Sequence, residues 1–124
     1  MVLASALFLA HEVGAWVVVL ANAVAGLWAL AAHWRPGLRV KALWPFTIAA
    51  EVAIFVQVIL GVAYQNVEDV EPAPLHPLYG FSGIVAIAIL YSYRQQLAEK
   101  RFLLYGLGGL FLMGLGIRAM VLHT

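Results

Sequence analysis

Apolar residues run along this chain in four long blocks, each closed by a short polar or helix-breaking stretch. The first block goes from Val2 to about residue 32, interrupted by Ser5, His11, Glu12 and Asn22. It closes at His33-Trp34-Arg35-Pro36-Gly37, where proline and glycine stop a helix. The second runs over 41–64, with Glu51 and Gln57 as its only strongly polar interior residues. Next comes an acidic, proline-bearing stretch, 65–74, predicted to be loop. The third block opens at His76-Pro77, with Pro77 suited to a first helical turn, and ends near Tyr93-Arg94. A polar hinge at 95–100 leads to the fourth block, which is rich in glycine and carries Arg118 near its far end. About 20 apolar residues suffice to cross a bilayer core. The blocks therefore predict spans at about 8–32, 42–64, 76–94 and 102–122, with the segment before Glu12 near or beyond one interface. Short connections make the economical fold an all-α, integral membrane, up-down four-helix bundle, with 1–124 as one domain.

Composition sharpens this picture. Hydrophobic residues make up 65% of the chain and charged ones 10%, against about a quarter charged in ordinary soluble domains. A soluble fold of this size has no interior large enough for that much apolar surface. The formal net charge of +1 gives no electrostatic basis for binding nucleic acid. The absence of cysteine excludes disulfides, thiolate metal sites, Fe–S clusters and covalent c-type haem. The N-terminus lacks a basic n-region, so the first apolar stretch is expected to be retained as helix.

Orientation follows from Lys and Arg. Arg35, Arg39 and Lys41 lie between the first two spans, and Arg94, Lys100 and Arg101 between the last two. The connection between spans two and three has no basic residue. Both termini are therefore expected outside a bacterial cytoplasmic membrane, with the basic turns inside. Trp34 and Trp44 suit the inner interface, and Tyr64 and Tyr79 the outer.

This orientation brings two histidines to one depth. His11 lies roughly 33 Å before His33, and His76 roughly 27 Å before Arg94, at the helical rise per residue. Both sit toward the outer interface. Beneath His11 the helical face continues through Ala15, Val18, Asn22 and Ala25; beneath His76 it continues through Tyr79, Gly80, Gly83 and Ile87. The small residues leave gaps of the kind a flat macrocycle needs, and neutral imidazole is the usual axial ligand of b-type haem. His11 and His76, with Gly80, Gly83 and Arg118, thus form the candidate site for one haem b, with the haem iron as its only metal. The competing role for each histidine is a hydrogen bond to headgroups, water or a neighbouring carboxylate. His33 and His123 are expected to be solvated.

Other polar residues inside the spans add further candidates. Asn22 is expected to hydrogen-bond between helices. Glu51 falls near the bilayer midplane, where an ionisable group is costly and functional by default. Glu51, Gln57 and Tyr79 are candidates for proton transfer or for a quinone, and Glu51 equally for an interhelical hydrogen bond. Arg118 lies at the level of Glu12 and Gln57, where it is expected to pair, snorkel or hold an anion such as a haem propionate. Ala21 with Ala25, and Ala49 with Ala53, are small-residue pairs at contact spacing.

His11-Glu12, Ala25-Gly26-Leu27-Trp28, the stretch 76–83 and the fourth span over 104–120 resemble small four-span membrane proteins of high-GC Gram-positive bacteria. That resemblance implies a membrane bundle and carries over no catalytic residue. His76-Pro77 followed by glycines is similar in architecture to the ligand-bearing helix starts of transmembrane b-type cytochromes and to the membrane anchors of succinate dehydrogenase. A second histidine pair toward the cytoplasmic side is missing, so at most one haem is implied.

Three function classes follow. The first is a small redox membrane protein or respiratory-complex subunit with one haem b, or a quinone. The second is a non-catalytic accessory or assembly subunit, partnered by the lipid bilayer and by a larger membrane complex or further copies of itself. The third is proton or small-ion translocation through Glu51 and Arg118. No nucleophile motif, phosphate loop or divalent-metal cluster marks the chain as an enzyme on its own.

Overall fold

The computed structural model describes residues 2–69 and 75–123, with side chains as far as Val121. It is helical, with no strand among the described residues: α1 (Val2–Trp34), α2 (Leu43–Glu68), α3 (His76–Tyr93) and α4 (Arg101–His123), plus short 3-10 turns at Pro36–Leu38 and Ala98–Lys100. Among the described residues, three segments are long and apolar enough to cross a membrane: Val2–Trp34, Leu43–Glu68 and Ala98–Val121. α3 has 18 residues, opening on His76-Pro77 and closing on Tyr91-Ser92-Tyr93.

Local chemistry sets the helix ends. Pro36 disfavours helical geometry at Arg35, whose φ is −123° and ψ 94°. Arg39 then folds back, its Nε donating to the Ala32 carbonyl at 2.8 Å and Nη2 to that of His33 at 2.9 Å. These bonds satisfy acceptors that the last turn of α1 leaves open. Trp28 Nε1 donates to the Leu38 carbonyl at 3.0 Å and pins the same turn. α2 outlasts its predicted end by a turn. Gln65, Asn66, Val67 and Glu68 are helical rather than loop, and the helix stops at Asp69, in the left-handed region at φ 53°. The rest of the predicted loop, 70–74, lies outside the described residues. His33, expected in a loop, instead belongs to the last turn of α1, half-buried and edge-on to Trp34.

α1 packs closely against both α2 and α4, and α3 against α4; of the neighbouring helices, α2 and α3 touch least. The closest approach joins α1 to α4. A Cβ on Gly106 would lie 2.7 Å from Leu30 Cα, and one on Gly109 would lie 2.7 Å from Gly26 Cα. Only glycine lets the two backbones meet there. The expected small pairs contribute less: Ala25 is buried and Ala21 half-buried, but Ala49 is exposed, and Ala50 faces inward instead. Asn22, 1% exposed, donates to its own turn at the Val18 carbonyl (2.9 Å) and across to Ala50 on α2 (3.2 Å).

One core cluster holds Val18, Ile54, Leu90 and Leu112 from all four helices; a second, at the basic end, holds Ala29, Ala32, Leu43 and Phe102. The outside is as apolar as the inside. Trp16, Ile48, Ile59, Val85 and Phe111 are all exposed, far more apolar surface than water-soluble monomers present. Such a surface suits contact with a lipid bilayer. In lipid, close packing and hydrogen bonds hold the helices together, because tails and side chains are equally apolar.

Candidate functional site

α2 runs back along α1, so its far end meets the start of α1, and the start of α3 meets the far end of α4. Four helix ends thus converge where His11 and His76 stand. The two imidazoles, on diagonal helices, have ring centroids 5.9 Å apart and planes inclined at 75°.

Each histidine is set by a neighbouring helix. The Gln57 amide of α2 donates to the main-chain carbonyl of His11 at 2.6 Å. One turn on, Gly61 makes room for the His11 ring: a Cβ there would lie 3.0 Å from His11 Cε1. Gly14 of α1 makes the matching space for the Gln57 amide, whose oxygen fills the position a Cβ would take. His11 is consequently buried, at 9% exposure. On the other side, His76 Nδ1 lies 2.7 Å from the Ala119 carbonyl of α4. A carbonyl only accepts, so Nδ1 carries the proton in this bond. A neutral ring so bonded carries its lone pair on Nε2, the arrangement that orients a metal-ligating histidine.

Between the helices lies a cavity of about 150 Å³. Its polar lining is His11, Glu12, Gln57, Gln65, His76 and Tyr79, and its small residues are Ala15, Gly61, Gly80, Gly83, Gly116 and Ala119. Val62 and Phe81 also line it and are 41% and 50% exposed, so the cavity opens between α2 and α3, the loosest neighbouring pair. Gly83 brings α2 close, since a Cβ would lie 3.3 Å from Ile54 Cγ2; Gly80 is less constrained, at 3.6 Å from Val58 Cγ2.

The structure therefore brings together His11, His76, Gln57, Tyr79, Gly80 and Gly83. Glu51 and Arg118 are not in the lining. Arg118 is exposed, although it precedes the residue whose carbonyl holds His76. Glu51 is half-buried deeper along α2, within electrostatic reach of Tyr105 on α4. Asn22 ties helices below the cavity. Nothing in the sequence marks Gly14, Gly61, Gly116 or Ala119 as part of the site. Their part depends on helix rotation, and Ala119 acts through its backbone.

The donor set limits the chemistry. Among the described residues no group of three or more His, Cys, Asp or Glu stands together to hold a metal ion. Two imidazoles are too few for an ordinary protein-only zinc site but are the full axial complement of a haem iron. The two rings stand edge to face at 5.9 Å, within the usual range of ring–ring contacts. Comparison with protein families, characterised proteins and solved structures finds no match for this chain.

Proposed function

We propose that the chain is an up-down four-helix bundle spanning a bacterial cytoplasmic membrane, with both termini outside. In this proposal it holds one b-type haem between His11 and His76, and it serves as a small redox protein or as a subunit of a respiratory complex. The observation that carries this is the meeting of the two imidazoles, each braced from a neighbouring helix; the cavity beside them measures about 150 Å³, so a macrocycle would also have to part α2 from α3, the loosest neighbouring pair. The basic turns mark the inner face. α3, roughly 27 Å long at the helical rise, is the fourth span.

A haem bound there would supply one-electron exchange. The protein's own residues do the rest. Gln57 and Gly61 fix His11 along α1 and against α2. The Ala119 carbonyl accepts from His76 Nδ1, so Nε2 is the nitrogen that would meet an iron. Ile54, Val58, Leu112 and Leu115 in the walls keep water away.

The cavity volume favours one further reading. A cavity of that size takes a single benzene-like ring, so a quinone headgroup entering between Val62 and Phe81 also suits it, with His76, Tyr79 and Glu12 as polar partners. Absorption spectroscopy and solvent extraction of detergent-purified protein from haem-replete cells separate the two. The haem proposal expects a Soret band, lost in His11→Ala and His76→Ala while helicity is kept. Extracted quinone without a Soret band favours the second reading. Folded protein with neither refutes both.

A further inference from the structure

At the basic end, away from the histidines, a second groove runs along the seam of α3 and α4. Its volume is about 430 Å³. Ala86, Ile89 and Leu90 wall it on α3, and Leu103, Leu107 and Phe111 on α4. Gly108 keeps α4 thin there: a Cβ would collide with the Leu90 side chain, which packs over this glycine. The groove faces outward, with Ile89, Leu107 and Phe111 each more than half exposed. Its one charged lining residue is Lys100.

From Lys100 to Phe111 the groove extends roughly 16 Å at the helical rise. One leaflet's hydrocarbon is about 15 Å deep, half the bilayer core. A cation therefore stands at one end of an apolar channel one leaflet long. The neighbouring cations are engaged elsewhere: Arg94 lies 4.2 Å over the Tyr91 ring, and Arg101 lies 5.2 Å over Phe102 and 5.7 Å over Trp44.

We propose that this groove binds one acyl chain of an anionic phospholipid, whose phosphate is held by Lys100. The site is separate from the histidine cavity and rests on the membrane-spanning and orientation parts of the proposed function, not on the haem. Charge and depth select the occupant: the lysine sits where headgroups of the inner leaflet lie, and a basic residue there attracts anionic lipid. A zwitterionic lipid of the same chains fills the groove without that attraction.

Native mass spectrometry of the full chain, released from micelles holding equal phosphatidylglycerol and phosphatidylcholine of matched chains, tests this. The wild type is expected to retain one phosphatidylglycerol with about fivefold preference, from a single surface lysine. Lys100→Gln removes the preference, Ala86→Phe lowers retention of both lipids by filling the groove, and Lys41→Gln at the other basic turn changes neither. Equal retention of the two lipids by the wild type overturns the site, as does a preference that survives Lys100→Gln, or a dimer that excludes lipid from this face. None of these touches the membrane reading, which fails instead if the chain stays soluble without detergent and does not enter liposomes.

Discussion

Replacing Gly106 by alanine is expected to force α1 and α4 apart, because the new methyl meets backbone rather than a movable side chain. The added Cβ would lie 2.7 Å from both Leu30 Cα and Leu30 N, and 2.8 Å from Leu30 Cβ. Overpacking of this kind costs about 1–3 kcal/mol. Alanine also gains about 1 kcal/mol over glycine in a helix interior, so the net loss is smaller than the steric cost. Gly114, on the same helix, supplies the control: a Cβ there meets nothing within 4 Å. Gly114→Ala keeps the helix gain and has no clash. The difference between the two variants isolates the packing cost, about 1–3 kcal/mol in favour of Gly114→Ala. Reversible unfolding in mixed micelles, compared for both variants and the parent, gives that difference. Equal stability of the two variants would refute the close α1–α4 seam, and with it the helix spacing that places Gly116 and Ala119 at the cavity.

Three further substitutions probe other supports. Asn22→Ala removes the amide that ties α1 to the Ala50 carbonyl and is expected to cost about 1 kcal/mol in the same unfolding assay, as interhelical hydrogen bonds in membranes do. Gly61→Val pushes into the His11 ring; it is expected to weaken haem retention about tenfold, measured as the ratio of Soret to protein absorbance, with helicity kept. Arg39→Gln uncovers the carbonyls of Ala32 and His33 and is expected to speed amide exchange in the last turn of α1 by a loss of about 1 kcal/mol of local stability.

Much of the architecture was legible in the hydropathy pattern, because long apolar runs bounded by Pro, Gly and charge have few structural solutions. A common depth for His11 and His76 was legible too, since it needs only helix direction and length; that their rings face each other was not. What rotation decides was not. These helices are apolar nearly all round, so the pattern did not say which face looks inward. Ala49 has a small partner at Ala53 yet points out, one residue off the buried face at Ala50, while Gly26, Gly106 and Gly109 carry the close crossing. Arg118 has the right depth and the wrong azimuth for the cavity. The bracing of His76 was invisible for another reason: any residue offers a carbonyl, and nothing in the identity of Ala119 announces the bond. The extra turn of α2 escaped because Gln65, Asn66 and Glu68 are polar, although nothing in them breaks a helix before Asp69.

The central claim is that His11 and His76 serve as a pair on one iron. Electron paramagnetic resonance of the oxidised, purified protein tests it most directly. A low-spin signal of two axial imidazoles, at one haem per chain, is the expected result, with conversion to high spin or loss of haem in His11→Ala and in His76→Ala alike. A high-spin signal in the parent protein, or a low-spin signal that survives both substitutions, would contradict the account.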